Sequence, residues 1–296
     1  MSPLRVQLLL IATMAIWGLN ITAIKVLTAE MHPLLISSFR MVLASVVIHM
    51  TLAHYQRRLK LRRITPAQWL RFVICSIFMV YGNQVFFTGG MVTASATNTS
   101  LIMALGPLVA SVLAAFIFRE SLTGLRILGI ILGFGGVFAV IFSNPSAALS
   151  DAGWGDLQIF GAMLSFVAGG MLIQAMARQF DALTISAIIY TLGSVFLCLH
   201  VAISPSVRLD AESLLIGWWP WILLIFSGII ATAIGNMIWN WAITELGAAR
   251  TTLFQYWIPV FGVGFALLLL GEAFTVWHAI GLLGILLGTY FGTKRV

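Results

Sequence analysis

The chain has 296 residues and a net charge of +7; 60% of its residues are hydrophobic and only 8% are charged. A soluble domain carries about 25% charged residues, so most of this exterior must face lipid, and a single soluble core is excluded. Lys and Arg stand at the ends of apolar runs rather than in one clustered face, which excludes nucleic acid as a partner and reads as membrane orientation.

A membrane-spanning helix needs about 20 mostly apolar residues. Ten such runs follow one another, at roughly 6–26, 34–54, 67–88, 94–118, 125–143, 155–177, 182–203, 217–243, 249–270 and 275–293. Between them lie turn residues: His32-Pro33, the segment Arg62 to Pro66, Gly89-Gly90, Ser143-Asn144-Pro145, Ser204-Pro205 and Gly247. The first run is longer than the roughly 7–15 apolar residues of a signal peptide, so it reads as an uncleaved span. It carries Trp17 and Asn20 and ends near Lys25, expected to be an outer interfacial anchor. Arg40 lies inside the second run. It could attract a carboxylate or neutralise helix-end carbonyls, but the outer surface is about seven residues away and snorkelling to it is favoured.

On the third run Tyr81, Gln84 and Thr88 fall on one helical face, and the fourth offers Asn98, Thr99 and Ser100. The fifth and tenth runs each carry a glycine face, Gly129, Gly133 and Gly136 against Gly281, Gly284 and Gly288. Small residues let helices approach closely, and packing within one chain is favoured over a dimer contact, so a monomer is expected. The eighth run sets Thr232, Asn236 and Asn240 on one face with Trp239 beside them, behind Trp218, Trp219 and Trp221, an expected outer aromatic belt. The ninth offers Thr252, Gln255 and Tyr256. Polar side chains within spans are costly and face the bundle interior or a water-filled cavity. Singly, each of these residues serves equally well as glue between helices. As a set they outline a cavity for a neutral or zwitterionic solute: Trp17, Asn20, Tyr81, Gln84, Asn98, Ser100, Asn236, Trp239, Asn240, Gln255 and Tyr256.

Thirteen of the sixteen Lys and Arg residues fall on one side, among them Arg57, Arg58, Lys60, Arg62 and Arg63, while Asp151, Asp156, Asp210 and Glu212 fall on the other. The expected topology has both termini in the cytoplasm. The chain also repeats itself: Pro107 matches Pro259, Glu120 matches Glu272 and Gly136 matches Gly288 at an offset of 152, and Gly82-Asn83 matches Gly235-Asn236 one residue later. Five spans per half put the halves in opposite orientations. The expected fold is therefore an all-α membrane protein of ten transmembrane helices, built as two inverted five-helix repeats over residues 1–143 and 153–296. Secondary transporters use this construction, with the substrate near the midplane.

No His pair has metalloprotease spacing, no Gly-x-Ser-x-Gly or Walker motif is present, and no two carboxylates share a span, so neither an enzyme nor an ATP-driven pump is expected. Cys75 and Cys198 stand singly inside apolar runs, without metal-ligand spacing. No cofactor or metal is expected.

Trp17-Gly18-Leu19-Asn20 with Lys25, then Pro33, Arg40 and Ala44, Gln84, Ser95 to Pro107, Phe118-Arg119-Glu120 with Gly129, Gly155-Asp156-Leu157, and Glu272 with Gly281 resemble the EamA branch of the drug/metabolite transporters. The resemblance covers almost the whole chain. It departs from the family pattern in the sixth span, which lacks a Trp-Gly pair, and in the seventh, which has no counterpart of Arg40. Within the family the chain looks most like bacterial amino-acid exporters of the YddG kind. The resemblance implies ten helices around a cavity lined mainly by helices 1, 3, 4, 6, 8 and 9, in a bacterial inner membrane. The expected activity is export of amino acids of broad specificity, without a proton-coupling carboxylate. The alternatives are export of drugs or other small metabolites and, from another class, a membrane scaffold or receptor.

Overall fold

The computed structural model describes residues 3–55, 64–118, 124–141, 151–207 and 217–293. Every regular element among them is helical. We number ten helices in chain order: α1 (Pro3–Glu30), α2 (Pro33–His54), α3 (Pro66–Met91), α4 (96–118), α5 (Gly124–Ile141), α6 (Asp151–Met176), α7 (Ala182–Ile203), α8 (Trp218–Leu246), α9 (248–270) and α10 (Val276–Thr293). Eight of them are long and apolar enough to cross a membrane; in α5 and α10 the apolar stretches, Ile127–Gly136 and Val276–Phe291, are shorter.

Local chemistry sets the helix ends. Pro33 and Pro66 open α2 and α3, where a missing N–H costs nothing. Thr65 and Gln68 form a reciprocal capping box at the start of α3 (Gln68 N to Thr65 Oγ1 3.3 Å, Thr65 N to Gln68 Oε1 2.9 Å). Ser95 caps α4 through the Asn98 N–H at 2.9 Å, and Asp181 caps α7 through the Thr184 N–H at 3.1 Å. Gly247 (φ 85°) and Gly271 (φ 65°) end α8 and α9 in the left-handed region. Gly89-Gly90, expected as a break, is helical instead, and the turn follows at residues 92–95. The glycine there serves a close approach: a Cβ on Gly90 would lie 2.7 Å from the Gly155 carbonyl of α6. The Ser143-Asn144-Pro145 break lies outside the described residues.

The helices pack in a consistent set of pairs. α1 lies on α9, and α4 on α6; α3 lies on α6 and α7, and α8 on α1 and α2; α2 also packs along α7. α5 and α10 pack chiefly on each other. Their glycine faces meet: a Cβ on Gly136 would lie 2.6 Å from the Gly281 carbonyl, and one on Gly288 2.6 Å from the Gly129 carbonyl. This helix pair therefore accounts for the two glycine stripes inside the chain. Large apolar side chains remain on the outside, among them Ile131, Phe138, Leu268 and Leu283, as a lipid-facing surface requires. Trp218 and Trp219 are exposed at the start of α8, whereas Trp221 turns inward onto Phe39 (centroids 5.5 Å apart).

Candidate substrate cavity

Both α3 and α8 widen into a π-helical stretch in mid-course, Ile77–Gly82 and Phe226–Ile234. A π turn interrupts the ordinary ladder and shifts the faces that follow it, which is why such turns accumulate at functional sites. In α8 the freed groups are satisfied by side chains. The Trp17 indole of α1 donates to the Ala231 carbonyl at 2.9 Å, and the Thr232 hydroxyl donates to the Ser227 carbonyl at 2.7 Å. Gly235 makes room for that arrangement, since a Cβ there would lie 2.7 Å from the Trp17 ring nitrogen.

Beside these stretches lies a cavity of about 80 Å³. A single water needs about 10–15 Å³ by this measure, so the space holds a few waters and must widen to admit a solute. Its walls come from α1 (Trp17, Asn20, Ile21), α2 (Arg40, Met41), α3 (Met79, Asn83, Gln84, Phe87), α4 (Met103), α6 (Phe166), α7 (Tyr190), α8 (Ala231, Thr232, Asn236) and α9 (Gln255, Ile258). None of these residues is acidic. α2 and α7 thus join the six helices that the family resemblance implied.

One polar chain crosses the wall. The Ser227 hydroxyl donates to the Asn20 side-chain oxygen. Arg40 donates through one terminal nitrogen to Thr232 Oγ1 at 3.1 Å and through the other to Gln84 Oε1 at 2.9 Å. Gln84 Nε2 donates to Asn83 Oδ1 at 2.8 Å, and Asn83 Nδ2 to the Ala162 carbonyl of α6 at 3.0 Å. Asn236 Nδ2 donates to the Thr232 carbonyl at 2.9 Å. Gln255 sits in the 3₁₀ turn Leu253–Tyr256 that interrupts α9 after its first turn; its Oε1 is buried without a hydrogen-bond partner.

Of the residues singled out from sequence, Trp17, Asn20, Gln84, Asn236 and Gln255 meet at this cavity. The other six lie elsewhere. The π stretch turns Tyr81 away from the Gln84 face, and its hydroxyl pairs with His200 Nδ1 of α7 at 3.0 Å. Trp239 is fully buried one layer behind the wall, against Trp17 and Phe166 (centroids 5.2 and 5.5 Å apart). Asn240 binds the Ser186 hydroxyl of α7 at 2.9 Å, so it joins two helices. The Ser100 hydroxyl returns to the Ala96 carbonyl at 2.7 Å and packs against Gly262 of α9. Tyr256 is half-buried outside the lining.

Asn98 belongs to a second polar cluster. Its Nδ2 donates to Asp156 Oδ2 at 2.9 Å, and its Oδ1 meets His278 Nε2 at 3.0 Å. Asp156, read from sequence as an outer charge, is only 2% exposed. Nearby, Glu272 accepts from the Ala96 and Thr97 N–H groups at 2.8 Å each and so caps α4. Lys25 donates to the Met91 and Val92 carbonyls at 3.0 and 3.2 Å, closing the end of α3 rather than reaching outward.

Sequence reasoning left Arg40, Asn83, Thr232, Phe166 and Tyr190 out of the site. Arg40 does not snorkel: it is 3% exposed and points into the cavity wall. A cation set inside an apolar run was the available signal for it. Phe166 and Tyr190 offered none, because an aromatic residue in an apolar run reads as core.

The residues that build this cavity lie in both halves of the chain, and comparison with known proteins matches both halves. The profile of the EamA-like transporter family matches residues 4–142 and 153–293. The chain belongs to the EamA-like transporter family. It is 24% identical over 98% of its length to the uncharacterized transporter YoaV of Bacillus subtilis, covering 97% of that protein. It is 28% identical to an uncharacterized transporter of Archaeoglobus fulgidus, over 97% of this chain and 98% of that one. It is 26% identical to the uncharacterized inner membrane transporter YhbE of Escherichia coli, over 88% and 80% of the two chains. A solved crystal structure superposes with a TM-score of 0.66 over 98% of this chain and 95% of its own, at 16% identity, and shares the fold. Family and helices together make this a multi-pass membrane transporter.

Proposed function

We propose that the protein exports amino acids from the cytoplasm across a bacterial inner membrane by alternating access, with all ten helices crossing the bilayer as two inverted five-helix repeats. The observation that carries the cargo reading is the cavity wall, where the amides of Asn20, Asn83, Gln84, Asn236 and Gln255 alternate with Trp17, Phe87, Phe166 and Tyr190. Amides and hydroxyls offer donors and acceptors to both ends of a zwitterion. Aromatic faces tolerate varied side chains and attract an ammonium by about 0.5–2 kcal/mol. Such a site binds weakly and selects broadly.

The packing supports the inverted repeat. The α1–α9 contact is answered by α6–α4, α3–α6 by α8–α1, and α2–α8 by α7–α3. The π stretches recur in α3 and α8, each running up to or just short of a Gly-Asn pair. Gly82 faces Ser165 of α6, and Gly235 faces Thr13 of α1, positions 152 residues apart. Cytoplasmic termini follow from the Lys/Arg asymmetry.

Met41, Met79 and Met103 in the wall favour a second reading, export of drugs or other small metabolites, because methionine adapts to varied shapes. Uptake of a panel of labelled amino acids into proteoliposomes decides between them. Saturable uptake of several amino acids is expected. Uptake of hydrophobic drugs alone would select the second reading.

A further inference from the structure

A guanidinium buried in a membrane bundle is costly unless it is paired and hydrogen-bonded. Arg40 stands in mid-α2, is 3% exposed and donates only to neutral acceptors, Gln84 Oε1 and Thr232 Oγ1. Its Nε–H is buried without a partner, and among the described residues none that lines the cavity beside it is acidic. Among the described residues the protein thus supplies hydrogen bonds to this cation but no counter-charge beside it, and it leaves the Nε donor unused. Hydrogen bonds to an ionised acceptor are about twice as strong as those to a neutral one, and a carboxylate matches the fork with two parallel bonds. A solute carboxylate that enters the cavity and takes Arg40 end-on, through its two terminal nitrogens, displaces the Gln84 amide and the Thr232 hydroxyl at a net gain. The displacement also cuts the run of hydrogen bonds from α2 through Gln84 and Asn83 to α6, so occupancy loosens one half of the cavity wall from the other.

We propose that Arg40 is a carboxylate clasp with Gln84 as its internal stand-in, and that the transporter takes solutes carrying one free carboxylate. This deepens the amino-acid reading and can fail separately from it. The test uses the full chain in proteoliposomes with three probes of one shape: phenylalanine, phenylalaninamide, and 3-phenylpropionate, which keeps the carboxylate and lacks the amine. The clasp predicts that the amide is transported at least about tenfold more slowly than either acid, since a lost charged hydrogen bond weakens binding by that order. It also predicts that Arg40→Gln brings acid and amide rates together, while Arg40→Lys keeps part of the preference. Should Arg40→Gln fail to fold, thermal stabilisation of the wild-type protein by the acids and not by the amide carries the same test. Amide and acid moving equally, a preference that survives in Arg40→Gln, or binding of none of the probes would overturn the clasp. Transport of phenylpropionate without phenylalanine would keep the clasp and overturn the amino-acid reading.

Discussion

Amides in two settings distinguish a cavity from glue at the scale of single residues. Asn20, Gln84 and Asn236 line the open space, whereas Asn240 is wholly buried and tied to Ser186. Alanine at Asn236, whose amide bonds only within α8, should slow transport severalfold while expression and melting temperature stay near wild type; alanine at Asn20 or Gln84 also removes an interhelical bond and should lower both transport and melting temperature. Alanine at Asn240 should do the reverse of Asn236→Ala: an interhelical bond of this kind is worth about 0.6–2 kcal/mol, and its loss lowers the melting temperature without changing transport by the folded protein. Transport assays paired with melting curves on the same preparations check this. The sequence carried enough to select both amides but not to tell them apart. Both obey the helical spacing, and only the helix facing each one differs. A further prediction concerns His32, whose ring nitrogen accepts the Leu34 N–H at 3.3 Å and caps α2. Burial, and then the charge of His200, hold its pKa below the usual value. The neutral ring is therefore the stabilising form. Its contribution is complete above the unfolded value of about 6.5 and is lost as pH falls through the lower folded value. Stability should drop across that acid window, and His32→Asn, a cap that does not titrate, should flatten the drop.

The two π stretches organise the cavity at the scale of helices. They turn Thr232 toward Arg40 and free the Ala231 carbonyl for Trp17. Gly235 is the residue that lets α8 and α1 meet there. Gly235→Ala forces a Cβ to 2.7 Å from the Trp17 indole and should cost about 1–3 kcal/mol, the usual cost of overpacking. Gly264→Ala in α9, where an added Cβ meets nothing within 4 Å, should be neutral or slightly stabilising. Denaturation of the two variants side by side checks the pair, and equal losses would show that the contact at Trp17 carries no special constraint. Most helices were legible, because apolar length, Pro33, Pro66 and Gly247 mark their ends directly, whereas the Gly89-Gly90 break fell inside α3. The π turns were not, since Ile77–Gly82 and Phe226–Ile234 look like any apolar run. That is why Tyr81 was expected beside Gln84 and stands instead against His200. The role of Lys25 was hidden for a related reason: a lysine near a helix end reads as an anchor, and the carbonyls it caps belong to a helix more than sixty residues away.

Charge distribution and the cavity together describe a carrier at the scale of the whole molecule. Single cysteines replacing Arg58 and Ser150, both outside the described residues, should respond oppositely to an impermeant reagent in intact cells, with only the second labelled. Labelling of the first alone would reverse the proposed orientation. The proposed repeat rests on paired glycines and prolines, because close helix contacts and turns constrain them strongly. The cavity was readable only in part, because Arg40, Phe166 and Tyr190 reach it from helices whose relative rotation no local pattern encodes. Among the described residues no acid lines the cavity, and the buried carboxylate of Asp156 lies in the separate cluster with Asn98 and His278. The measurement that tests the central claim most directly is exchange of a labelled amino acid across proteoliposomes, with and without an uncoupler, for wild type, Gln84→Ala and Asn240→Ala. The cavity account predicts saturable exchange in wild type and in folded Asn240→Ala, a severalfold loss in Gln84→Ala, and no effect of the uncoupler. Normal exchange by Gln84→Ala, or exchange that collapses with the pH gradient, would contradict it.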